Sequence, residues 1–105
     1  RLTLGQDLRV CAEQWTGEGA ANAIYLKTRE PLPTGRFTTL RYEHNGVEAR
    51  LLVDGQVQVI MPCAPLAPYA GGVLCLGRTG GKDFWFNGVI GTVRIFALAA
   101  AGGKR

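Results

Sequence analysis

The sequence is poor in the side chains that metal and thiol chemistry needs. It holds one histidine, His44, and three cysteines, Cys11, Cys63 and Cys75, with no CxxC pair. One histidine cannot complete a usual zinc site with cysteines spaced this way. No run approaches the ~18 apolar residues that span a membrane, so membrane insertion is not expected. No signal-peptide pattern is visible. The first residue is Arg1, so the missing leader says nothing about secretion. Helical periodicity is absent apart from one possible turn at Ala97 to Ala101, and there is no repeat and no low-complexity linker. The net charge is +4, but the basic residues are spread from Arg1 to Arg105. A nucleic-acid surface would cluster them in a stripe with interleaved aromatics, so nucleic acid is not an expected partner.

What the chain does have is glycine, 15 of 105 residues, and many short strand-like runs. These predict an all-β fold in one domain over residues 1–105, with a frayed tail at 97–105. A core this small removes only about two-thirds of the unfolded surface from water. Composition, 47% hydrophobic and 19% charged, is that of a globular chain.

Phe37 to Ile60, FTTLRYEHNGVEARLLVDGQVQVI, reads as three antiparallel strands. Asn45-Gly46 and Asp54-Gly55 supply the positive backbone angles of tight turns. A two-residue turn at Asn45-Gly46 sets Tyr42 against Ala49 and Leu40 against Leu51, with Val47 on the same apolar face. The other face carries Arg41, Glu43, Glu48 and Arg50, where the diagonals Arg41–Glu48 and Glu43–Arg50 have opposite charge. A three-residue loop, Val53-Asp54-Gly55 with Gly55 left-handed, sets Leu51 against Val57 and Ala49 against Val59, and predicts a bulged second turn.

Elsewhere, Leu2 to Ala12 reads as strand, turn, strand, and Gln14 to Ala21 as a glycine-rich turn carrying Trp15. Asn22 to Thr28 alternates Ile24 and Leu26 with Tyr25 and Lys27, a strand. Arg29 to Gly35 is a loop, because its prolines remove ladder donors. Pro62 to Gly72 is a connection between sheets, Val73 to Gly77 a short strand, Arg78 to Asp83 a turn, and Val89 to Phe96 the last strand. Cys63 and Cys75 flank a proline- and glycine-bearing loop; either they form a disulfide or Cys75 is a small buried side chain.

Four segments in this order, GRFTTLRYEHNG, EARLLVDGQV, GGVLCLGRTGG and FWFNGVIGTVRIFAL, resemble the laminin-G-like, concanavalin A-like jelly-roll family. The resemblance rests on Phe37, Asn45-Gly46, Val53-Asp54-Gly55, Leu76-Gly77-Arg78 and Phe86 to Ile95. It covers roughly residues 35–98. It implies an antiparallel β-sandwich of jelly-roll type, Phe86 in the core, and an extracellular or cell-surface location. Gly91 stands where the family has an acid. The chain is also shorter than the family's domains, which implies that early strands are trimmed, merged or contributed by a preceding segment. Open sheet edges would then invite self-assembly or completion by a partner chain.

Catalysis of the family's glucanase type needs two carboxyl groups about 5 Å apart. No Glu-x-Asp-x-x-Glu run is present. Glu13 and Glu18 flank Trp15 in a turn-like context, and Arg41 and Arg50 should hold Glu43 and Glu48 ionised. No enzyme activity is expected. His44 with a cysteine would make a nucleophile pair only if the fold brought them together; otherwise it is an exposed hairpin histidine. Calcium wants six to eight oxygen ligands, and Asp83 with Asn87 does not make a rim site, while Asp54 serves its turn. No cofactor is expected. Recognition remains. Trp85 with Arg78, Lys82 and Asn87 is the candidate patch, with Trp15 as a second aromatic; the structural alternative is that Trp85 fills the space between sheets. The expected partner is carbohydrate or a protein surface, for a non-catalytic binding or adhesion module. The alternative is a structural subunit of a shell, filament or surface layer.

Overall fold

The computed structural model describes residues 1–15, 23–65, 76, 86 and 88–96. The chain divides into two compact units, Arg1–Pro68 and Tyr69–Arg105. The first holds six strands: β1 Leu2–Leu4, β2 Val10–Trp15, β3 Ala23–Lys27, β4 Leu40–His44, β5 Glu48–Val53 and β6 Gln56–Pro62. They form two antiparallel three-stranded sheets, sheet 1 in the order β1-β2-β3 and sheet 2 in the order β4-β5-β6. No helix occurs among the described residues, so the described chain is all-β.

Period-two alternation builds the core. Val10 and Ala12 on β2, Ile24 and Leu26 on β3, and Ala49 and Leu51 on β5 form one buried cluster drawn from both sheets. Leu40, Tyr42, Val59, Met61 and Cys63 pack against it from sheet 2, and Leu32 from the connection. The sheets therefore bury their facing sides against each other. Fully burying a side chain such as Leu26 or Leu51 contributes about 1.5–3 kcal/mol of transfer free energy.

Thr28 is buried just past β3 and clamps the exit from sheet 1. Its Oγ1 accepts from Val10 N at 3.0 Å and donates to the Glu30 carbonyl at 3.0 Å. Its carbonyl accepts from Arg9 Nε at 2.8 Å. The hydroxyl thus satisfies a strand N–H that the ladder would otherwise leave dry.

The meander of three strands forms as expected, and both of its turns differ in detail. The first hairpin pairs Tyr42 with Leu51, Leu40 with Val53 and His44 with Ala49. Its loop closes at Gly46-Val47, not Asn45-Gly46. Gly46 has φ +87° in the first central position, which suits a II′-type turn. The cause is local. Asn45 Oδ1 accepts from Val47 N at 2.9 Å and Glu48 N at 2.8 Å, and His44 Nδ1 accepts from Gly46 N at 3.1 Å. Val47 therefore points to solvent, 72% exposed, and leaves the apolar face.

The charged quartet is satisfied along each strand and not on the diagonals. Arg41 Nε meets Glu43 Oε2 at 2.8 Å, and Arg50 Nη2 meets Glu48 Oε1 at 2.9 Å. At the second turn, Val53 pairs with Gln56 across a two-residue loop, Asp54 at φ +50° and Gly55 at φ +81°. Two positive angles define a I′-type turn. The bulge lies further along: Leu52 pairs with Val57 and Leu51 with Val59, so Gln58 is the extra residue. Asp54 also anchors the approach to β4, accepting from Thr39 N at 3.0 Å and Arg36 Nη2 at 3.0 Å. The Thr39 bond first, and then Arg36, hold its carboxyl below the usual range.

Two other expectations shift. β4 begins at Leu40, and Phe37 is 71% exposed ahead of it. Trp15 is the last residue of β2, opposite Ala23, and not part of a turn.

In the second unit, Val89 to Phe96 was expected to be a strand, yet it carries no strand assignment. A strand needs a ladder partner for its backbone groups, and none joins this segment among the described residues. Val89 and Ile95 are 75% and 72% exposed, so this apolar alternation does not form a buried face. Phe86, expected in the core, is exposed, as is Leu76. The remainder of the expected strand Val73 to Gly77, the turn Arg78 to Asp83 and the tail 97–105 lie outside the described residues.

Candidate binding face

The side of sheet 1 turned away from the core is a mixed surface of polar and apolar side chains. The register sets Thr3, Cys11 and Lys27 in one row and Glu13 opposite Tyr25 in the next. These positions alternate with the core residues Val10, Ala12, Ile24 and Leu26, so the same period that fills the core presents them outward. Tyr25 is half exposed on this face. Ion pairs flank it on both sides. Arg1 Nη2 meets Glu13 Oε2 at 2.7 Å, and Lys27 Nζ meets Asp7 Oδ2 at 3.1 Å. Asp7 also accepts from Arg9 N at 3.1 Å. That backbone bond, followed by Lys27, holds the Asp7 carboxyl below its ordinary value.

The expected patch residues Trp85, Arg78, Lys82 and Asn87, with Asp83 and Glu18, lie outside the described residues. Trp15 is placed by its backbone at the end of β2, next along the strand from the Glu13–Tyr25 row. Tyr25, Lys27 and Glu13 were not singled out as a group. The alternation in NAIYLKT does put Tyr25 and Lys27 opposite Ile24 and Leu26. What the sequence withholds is that β2 lies beside β3 with Glu13 against Tyr25.

Thiol and histidine chemistry find little footing. Cys11 and Cys63 are free cysteines, and burial raises the pKa of both thiols. A thiol held protonated is a poor nucleophile and a poor metal ligand. Cys75, the proposed disulfide partner of Cys63, lies outside the described residues. His44 is half-buried at the end of β4. Its Nδ1 is used by the Gly46 N–H, and its Nε2 is buried without a partner. Glu43 faces Arg50 across the hairpin and not Glu48, so the two glutamates are not directly opposed. Among the described residues no cluster of His, Cys, Asp and Glu could hold a metal ion, and no helix is long and apolar enough to cross a membrane.

No family model, no curated protein and no solved structure matches this chain.

Proposed function

We propose that this chain is a non-catalytic binding module, of laminin-G-like jelly-roll kinship, that recognises carbohydrate or a protein surface through the outer face of sheet 1. The observation that carries the reading is Tyr25, half exposed on the outer strand face between the Arg1–Glu13 and Lys27–Asp7 pairs. An aromatic ring stacks on the apolar side of a pyranose, and flanking carboxylate and ammonium groups bind hydroxyls. Asp7, Glu13, Glu43, Glu48 and Asp54 all sit in ion pairs, which supports recognition over acid–base chemistry. The test is a glycan array probed with wild type and Tyr25→Ala. A glycan bound by the wild type and lost by at least about tenfold in the variant, with unchanged unfolding, is the expected result. Equal binding by both proteins would remove Tyr25 from the site and sink the reading of this face.

A second reading is favoured by a separate observation. Leu2 and Leu4 stand on the core side of sheet 1, opposite Ala12 and Val10, yet are 48% and 39% exposed. An apolar sheet face left wet at an edge is suited to a subunit completed by a neighbour, as in a shell, filament or surface layer.

A further inference from the structure

The tip of the first hairpin carries a reactive pair, Asn45-Gly46. An asparagine side chain that precedes glycine is open to attack by its own main chain, because glycine has no Cβ to shield the amide nitrogen. That nitrogen is a poor nucleophile while it holds its proton. The attack needs a base on the Gly46 N–H and donors for the charge that develops on Asn45 Oδ1. In an unfolded chain the solvent must supply both. Here the hairpin holds both in place.

His44 Nδ1 accepts from Gly46 N at 3.1 Å, within the reach of about 2.6–3.2 Å that a general base needs. An Nδ1 that accepts fixes the neutral ring with its proton on Nε2, the form whose lone pair faces the Gly46 proton. Nε2 is buried and makes no hydrogen bond that would turn the ring elsewhere. Asn45 Oδ1 accepts from Val47 N at 2.9 Å and Glu48 N at 2.8 Å. Both distances lie in the range of about 2.7–3.1 Å from which backbone donors stabilise an oxyanion. The loop is braced on two further bonds. Asn45 N donates to the Glu48 carbonyl at 3.2 Å, and Cys63 N donates to the Val47 carbonyl at 2.8 Å. Asn45 itself is exposed, so water reaches its side chain.

We propose that Asn45 is a self-modification site, at which Gly46 N attacks Asn45 Cγ with His44 as general base and ammonia is released. In the first step the Gly46 proton passes to His44 Nδ1 and the nitrogen pair forms the N–Cγ bond. The Cγ–Oδ1 π pair moves onto Oδ1, where the Val47 and Glu48 N–H groups hold it. In the second step that pair returns and the Cγ–Nδ2 bond breaks. Nδ2 takes the proton back from His44 and leaves as ammonia. Water then opens the cyclic imide at either carbonyl, giving aspartate or isoaspartate at position 45. Either product adds a carboxylate to the hairpin tip. Isoaspartate also routes the main chain through the former side chain, which lengthens a tight loop and loosens the register of β4 on β5.

The test incubates the whole folded chain at neutral pH and follows its tryptic peptide Tyr42–Arg50 by chromatography and mass spectrometry. The reference is a synthetic peptide of residues 42–50 in the same buffer, which has the same side chains without the sheet that fixes them. The folded chain is expected to convert Asn45 at least about tenfold faster than the peptide. His44→Gln keeps an acceptor for the Gly46 N–H but is no base. With unchanged circular dichroism, this variant is expected to fall to the rate of the peptide. A folded wild type that converts no faster than the peptide would overturn the proposal without recourse to any variant, since the hairpin would then shield Asn45. A folded His44→Gln chain that converts as fast as the wild type would overturn it too, by removing His44 from the reaction.

Discussion

Tyr42 joins the sheets with a single oxygen. Its ring packs against the core cluster while its hydroxyl, on sheet 2, donates to Gln14 Oε1 on sheet 1. Burial, and then the neighbouring Cys63, raise the pKa of the phenol. The apolar duty of Tyr42 is legible in the sequence, from its alternation with Arg41 and Glu43. The partner of its hydroxyl is not, because Gln14 lies 28 positions away and no local rule brings it near. Tyr42→Phe keeps the ring and deprives Gln14 of its donor. We expect a loss of about 1 kcal/mol, read as a lower urea midpoint with an unchanged slope. A variant as stable as the wild type would show that water satisfies Gln14 equally well. The same limit applies to Thr28: its hydroxyl serves Val10, 18 positions earlier, and alternation alone marks it only as the last residue of a strand.

At the scale of the element, the meander shows why faces are easier to read than register. The expected first hairpin and the observed one differ by a slide of two residues, from Tyr42 against Ala49 to Tyr42 against Leu51. Side chains alternate with period two, so such a slide exchanges partners but keeps the side chains that stay in the ladder on their own faces, while Val47, drawn into the loop, leaves the apolar one. The apolar assignment of Leu40, Tyr42, Ala49 and Leu51 therefore survives the wrong turn. The second hairpin needed an irregularity to bring Val59, and not Gln58, against Leu51, and the chain places it at Gln58 inside the strand. That leaves the turn free to be a two-residue loop with both angles positive. Gly55→Ala should then cost about 1–2 kcal/mol, while Gly55→Asn, which tolerates the left-handed region, should cost clearly less. Thermal unfolding of the two variants separates them; equal midpoints would argue against the turn described here. Val89 to Phe96 failed as an expected strand for a related reason. Alternation reports what a segment could pack, not whether a partner strand is present.

At the scale of the whole molecule, the six buried hydrophobic residues among those described come from both sheets, and Leu51 on β5 is one of them, with 0% exposure. Leu51→Ala should destabilise by about 2–5 kcal/mol in a single cooperative transition, measured by denaturant titration followed with two probes. Two separate transitions would mean that the sheets hold together independently of their shared core. The all-β character and most of the inward-facing residues were legible in the composition and the alternation. The pairing of sheet 1 with sheet 2 was not, because it is settled by which faces are apolar over the whole unit and not by any one segment. Each sheet is also a plain meander, with every ladder joining strands that follow one another along the chain. The entropy of bringing ladder ends together is then that of short loops, and the docking of one finished meander on the other is the long-range closure in Arg1–Pro68. Either meander could be moved to the other side of its neighbour in the gene without cutting a single rung of either sheet.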